Sequence, residues 1–143
     1  MLQIALQAQP AAITARVKAF QTSAFAIDLD NDAVDCIFCM RLLHHIARPE
    51  HRLAMLREFH RVTRNTLILS LWVDGNYKAW KRQRLEQRRA QRQTDGSNNN
   101  RFVVARQVIE KEFAEAGFTI LAHEDFLPGY AMWRVYTLRK KPE

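Results

Sequence analysis

The stretch Cys36-Ile37-Phe38-Cys39-Met40-Arg41-Leu42-Leu43-His44-His45-Ile46 holds two thiols three residues apart, then two adjacent imidazoles. Such groups can make a redox pair or a zinc site. A redox pair needs a helix N-terminus, whose dipole lowers a thiol pKa. Here the cysteines lie in a continuous apolar run, Cys36–Met40, of buried-strand length. Residues three apart on a strand point to opposite faces, so one thiol does not meet the other. No second spaced Cys or Cys/His pair completes four zinc ligands. Neither a metal site nor a redox site is expected, and residue types alone single out no catalytic group. The histidines keep two readings. His44 and His45 follow the strand at its C-terminal end, the edge where open parallel sheets bind ligands. One of them caps or packs the following turn, or His44 faces the cleft as a substrate contact or proton acceptor. His51 and His60 lie on the next helix and read as solvated or packed.

A second concentration of chemistry lies at residues 74–101. Eight basic residues there (Lys78, Lys81, Arg82, Arg84, Arg88, Arg89, Arg92, Arg101) oppose three acidic ones, giving +5 of the chain's formal +7. Any electrostatic function belongs to this arm. It reads as a solvated helix and loop, as a lid recruiting an anionic substrate, or as a nucleic-acid contact. In the last case Trp72, Tyr77 and Trp80 would stack bases while arginines neutralise phosphate.

The elements that must position these residues follow from periodicity. A helical pattern over Met1–Ala8 ends at Pro10 and lacks an N-cap, as though the chain starts inside a helix. Arg16–Phe20 is a short strand candidate, and Cys36–Met40 is the first strong strand. Pro49 opens a helix to about Arg64 with Leu53, Leu56 and Phe59 along one face. Thr66–Val73 is the second strong strand, followed by a helix near Tyr77–Arg92 and the polar loop TDGSNNN. Arg106–Ala116 is a helix stopped by Gly117, and Phe118–Glu124 and Met132–Leu138 are strands around a Pro128-Gly129 turn. This alternation of strand and helix indicates an α/β sheet.

At 143 residues, 48% hydrophobic and 26% charged, the chain fits a single globular domain over 1–143, with the basic arm inserted in it. The first twenty residues lack the basic n-region of a signal peptide, and no run approaches the roughly 18 apolar residues of a membrane span. Two neighbouring cysteines cannot form a disulfide framework, so a cytoplasmic setting is expected.

The run SAFAIDLDNDAVDCIFCMRLLHHIARPEHRLAMLREFHRVTRNTLILSLW resembles the middle of a class I S-adenosylmethionine-dependent methyltransferase of the type 11 kind. Ile27-Asp28-Leu29 stands at the family's LPF, Val34-Asp35 at FD, Leu43-His44-His45 at LHH, and Arg61-Val62 at the end of the Pro-headed helix. Glu115–Phe118 (EAGF) and a terminal hairpin fit the family's C-terminal end. The family's glycine-rich loop has no counterpart among Gly75, Gly96, Gly117 and Gly129. The ribose-binding acidic residue, like that loop, should lie upstream. The resemblance therefore implies strands three to seven of a partial Rossmann-like sheet, ending in an antiparallel hairpin. It implies S-adenosylmethionine as cofactor, bound weakly or not at all by this chain, which is expected to be inactive alone. Ser23 stands where the family has its acidic adenine-binding residue, and Ala24 offers its backbone N–H to the ring, beside Phe25. Cys39 and Met40 match positions lining the sulfonium side. Arg41, His44, Trp72, Tyr77 and Trp80 form the acceptor side.

The resemblance implies a small or lipid-linked methyl acceptor, with the basic arm in the position of a substrate lid. The LSLWV strand end and Arg101-Phe102 also resemble transfer-RNA wobble-uridine methyltransferases, so a nucleic-acid methyltransferase or binding module is the alternative, as is a non-enzymatic remnant. In the family's sheet order, 3-2-1-4-5-7-6, loss of strands one and two leaves the strand at Arg16–Phe20 without a neighbour. It also turns Cys36–Met40 into a long hydrophobic edge. A homodimer or larger oligomer built on Asp35–Met40 is expected.

Overall fold

The computed structural model describes residues 8–91 and 101–142. The helix expected at Met1–Ala8, all but its last residue, and the TDGSNNN loop lie outside the described residues. Pro10 starts a single helical turn, α1 (Ala11–Thr14). The strand expected at Arg16–Phe20 does not form: this segment is exposed coil, with Val17 and Phe20 about half in solvent. Strand geometry is stable only when its N–H and C=O groups pair with a neighbour, and none lies beside it among the described residues.

Four strands do pair. They are β1 (Val34–Cys39), β2 (Thr63–Trp72), β3 (Phe118–Asp125) and β4 (Trp133–Lys140), in the spatial order β1-β2-β4-β3. β1 runs parallel to β2, and both β2–β4 and β3–β4 are antiparallel. A Pro-headed helix, α2 (Pro49–Val62), makes the crossover between the parallel pair. The basic helix α3 (Tyr77–Gln91) follows β2, and α4 (Arg106–Glu115) precedes the terminal hairpin. The expected partial Rossmann-like sheet is present apart from its third strand.

Helices α2 and α4 cover one face of the sheet. Alternation along β2 turns Leu67, Leu69 and Leu71 into that core, where they meet Met55, Leu56, Phe59, Ile109, Phe113, Tyr136 and Leu138. Gly117 ends α4 with φ +90°, the left-handed geometry expected of a C′ glycine. A Cβ there would lie 2.6 Å from His60 Nε2, so the glycine also makes room for the His60 ring against Phe118.

The two helices are locked together by a buried ion pair. Arg52 donates from Nε and Nη2 to both Glu112 carboxylate oxygens at 2.9 and 2.6 Å, and from Nη1 to the carbonyls of Ile46 and Ala47. This anchors the segment that carries His44 and His45. Asn76 caps α3 by accepting the Ala79 N–H at 2.9 Å, and Asp74 accepts the Arg106 N–H at the start of α4. The arm therefore leaves and rejoins the sheet at fixed points.

Candidate active site

β1 ends at Cys39, and the chain then turns sharply. Arg41 has φ +61°, and its N–H donates to Ser70 Oγ in β2 at 2.9 Å. That turn feeds the 3-10 helix Leu43–His45, which brings His44 onto the end of β2. His44 is buried, stacked on Trp72 (ring centroids 4.9 Å apart, 24° between planes) and edge-on to Trp133 at 4.9 Å. The cross-strand pair Trp72–Trp133 comes from the β2–β4 register. Around this aromatic cluster stand three guanidinium groups: Arg41 5.8 Å from the Trp133 ring centre, and Arg82 and Arg101 at 5.2 and 5.9 Å from that of Trp72.

The end of the basic arm is tied across the cluster. Phe102 N–H donates to the His44 carbonyl at 2.7 Å, Val104 N–H to the Trp72 carbonyl at 2.9 Å, and Arg82 to the Arg101 carbonyl at 2.8 Å. Both readings of His44 meet here. It packs the turn, and among the described residues its buried Nδ1 has no hydrogen-bond partner, nor does Nε1 of Trp72. Burial, then the positive fields of His45, Arg101 and Arg41, push the His44 pKa down to about 4. The imidazole is neutral at pH 7, and the same burial and positive fields make it a weak base.

The second group of expected site residues lies in the loop before β1. Ser23 is exposed, and its Oγ accepts the Phe25 N–H at 3.2 Å. Ala26 donates back to the Ser23 carbonyl, a turn in which the Ala24 N–H takes no part. Ala24 packs against the core, while Phe25 is half-exposed and meets His51 edge-on at 6.1 Å. Glu58 and Arg61 of α2 hold the loop: Glu58 accepts the Ile27 N–H at 2.7 Å, and Arg61 donates to the Ile27 and Leu29 carbonyls. Cys39 is buried and Met40 half-exposed. Cys36 and Cys39 sit on opposite faces of β1, and burial pushes both thiols up, Cys39 to about 11.

Arg41, His44 and Trp72 are thus brought together, but Tyr77 and Trp80 are not with them. These two stand on the outer side of α3, beside Tyr130. Trp72 is buried, so a base-stacking trio of Trp72, Tyr77 and Trp80 is not assembled. Trp133 and Arg82 complete the cluster and were not evident from sequence. The tryptophan arrives by antiparallel register, from 61 positions beyond its partner.

A parallel pair followed by an antiparallel hairpin, in the order β1-β2-β4-β3, reproduces positions 4-5-7-6 of the methyltransferase sheet. Residues 1–70 match the family model described as a methyltransferase domain. The chain has the fold of the class I S-adenosylmethionine-dependent methyltransferases. Among solved methyltransferases, it is 15% identical to magnesium protoporphyrin IX methyltransferase from Synechocystis with bound S-adenosylhomocysteine, at a TM-score of 0.63 over 84% of this chain and 49% of that one. A methyltransferase from Methanosarcina mazei gives 13% and 0.64, covering 85% and 66%. A possible histamine N-methyltransferase from Thermotoga maritima gives 14% and 0.60, covering 92% and 69%. The chain spans about half of the first methyltransferase and two thirds of the other two. No curated protein matches its sequence. No helix among the described residues is long and apolar enough to cross a membrane.

Proposed function

We propose that the chain forms the acceptor side of an S-adenosylmethionine-dependent methyltransferase acting on a small or lipid-linked acceptor. One observation carries this reading: Arg41, His44 and Trp72 converge at the C-terminal ends of β1 and β2, beneath the returning basic arm. The cofactor would supply an electrophilic methyl group on sulfur, and its transfer is an in-line displacement in which positioning does most of the work. The chain's residues fit that group in part. The Ala24 N–H is unused in its turn, and Cys39 and Met40 offer apolar contact for the sulfonium side. Ser23 brings no charge to the adenine position, and no ribose carboxylate is evident in the chain.

His44 is neutral and, with its pKa held down to about 4, a weak base, so of its two readings it serves as a substrate contact and not as the proton acceptor. Arg41 and Arg101 hold an acidic group of the acceptor, and the paired tryptophans keep water away. Residues 74–101 act as the lid, with Arg82 and the Phe102–Val104 segment closing it over His44 and Trp72. A second copy of the chain covers the β1 edge, giving a homodimer. A nucleic-acid acceptor is the second reading, favoured by the exposed Trp80 with Arg84 over its ring at 5.2 Å.

Photolabelling with tritiated S-adenosylmethionine tests the site. At millimolar cofactor, label is expected on the peptides holding Ser23–Phe25 and Cys39–Arg41, removed by excess S-adenosylhomocysteine; label confined to other peptides refutes the assignment. Titration calorimetry should show no micromolar binding, because each missing charged hydrogen bond removes about 1.5–3 kcal/mol. A micromolar Kd would overturn that expectation.

A further inference from the structure

The outer side of α3 and the β3–β4 turn form one surface that the site chemistry leaves unused. Tyr77, Trp80 and Leu85 on α3, and Phe126, Leu127 and Tyr130 in the turn, are all between 44% and 66% exposed. Two backbone hydrogen bonds join the two parts, from Tyr77 N–H to the Gly129 carbonyl and from Lys78 N–H to the Tyr130 carbonyl. The rings of Tyr77 and Tyr130 are stacked 5.8 Å apart, and Trp80 lies 6.0 Å from Tyr77. Cations rim the patch. Lys78 Nζ is 5.0 Å from the Tyr130 ring centre and the Arg84 guanidinium 5.2 Å from that of Trp80. Helical spacing puts the exposed Lys81 and Arg88 on the same side as Tyr77 and Leu85. The one acid of the helix, Glu86, is bonded to Arg82 on the other side.

A partner for this surface must bring apolar volume and negative charge together. Nucleic acid offers charge and stacking faces for the rings, but gives Leu85 and Leu127 nothing to bury against. The boundary of an anionic bilayer offers both, and it suits Trp and Tyr, whose rings are apolar with a polar tip. We infer that α3 and the β3–β4 turn dock on an anionic membrane surface. The turn joins β4 at the end where β4 meets the C-terminus of β2, so docking sets the acceptor end of the sheet against the headgroups. This does not depend on cofactor binding. If the acceptor is lipid-linked, it reaches the site without leaving the bilayer.

Co-sedimentation of the full chain with phosphatidylcholine vesicles, with and without phosphatidylglycerol, tests the inference. The chain should pellet with the anionic vesicles, fail to pellet with the neutral ones, and release at high salt. The double variant Trp80→Ser/Leu127→Ser should retain its circular dichroism and lose about tenfold in vesicle affinity. Lys81→Glu should lose about fivefold or more, the effect of one interfacial charge. Absence of binding to anionic vesicles overturns the inference, as does unchanged binding by the double variant. So does a salt-sensitive gel shift with transfer RNA that the double variant abolishes in the absence of vesicle binding, which assigns the surface to nucleic acid.

Discussion

The two faces of the sheet come from the same strands yet end in different environments. On one face, Leu67, Leu69, Leu71, Tyr136 and Leu138 are fully buried under α2 and α4. On the other, Phe38 is 68% exposed, and Ile68 and Val135 are only partly covered. That second face closes only at its end, where Trp72 and Trp133 lie under His44 and the arginines. An apolar strand pattern thus states that both faces are built for burial, while the helices on hand decide which one receives it. Phe38, with the partly covered Ile68 and Val135 on the same face, leaves that face open for the second copy proposed above.

The largest effect expected on the covered side comes from Arg52→Ala. It leaves Glu112 charged and unpaired between α2 and α4, at a cost of about 3–5 kcal/mol in denaturant unfolding. The double variant Arg52→Met/Glu112→Leu should recover most of that loss. Leu69→Ala, in the middle of the buried β2 row, should cost about 2–5 kcal/mol. Equality of this loss with that of the exposed-face variant Phe38→Ser would break the contrast between the faces.

Acid should sharpen the contrast at the closed end. The folded-state pKa of His44 is about 4, below the ordinary value of 6.5, so the unfolded chain binds the extra proton first as pH falls. The stability from neutral His44 is complete above pH 6.5 and is lost between pH 6.5 and about 4, at up to about 1.4 kcal/mol per pH unit. His44→Gln should flatten that part of the unfolding profile; an unchanged profile assigns the acid sensitivity to other groups.

The smallest expected change in stability is that of Phe38→Ser, within about 0.5 kcal/mol. Its effect belongs to assembly. If a second copy covers the β1 edge, light scattering should show the native chain as a dimer and Phe38→Ser as a monomer. A native monomer at tens of micromolar removes the dimer.

The contrast also explains what could be read from sequence. β1, α2, β2, α4 and the terminal hairpin were legible because each carries its own periodicity and a stop signal such as Pro49 or Gly117. Arg16–Phe20 carries apolar residues but no information about a neighbour, and a strand exists only through its neighbour. In the site, His44 was legible by its position after a strand. Trp133 and Arg82 come to it through tertiary register and the path of the arm, which no local spacing reports. Arg52 and Glu112 did leave a signal. Each stands on the buried stripe of its helix, Arg52 at i to Met55, Leu56 and Phe59, and Glu112 beside Ile109, Phe113 and Ala116. A charge in such a stripe calls for an opposite charge facing it.

The bond from Arg41 N–H to Ser70 Oγ has a consequence for how the parallel pair aligns. β1 and β2 are joined through a long crossover and match mainly by interchangeable aliphatic side chains, Ile37 against Leu67 and Cys39 against Leu69. Sliding β2 by one or two positions would offer the Arg41 N–H a Leu, Ile or Trp side chain, since Ser70 is the sole hydroxyl between Leu67 and Val73. Only the native alignment supplies an acceptor to a left-handed residue that is otherwise strained. A single hydroxyl therefore proofreads the pairing of two strands that hydrophobicity alone would leave free to slip.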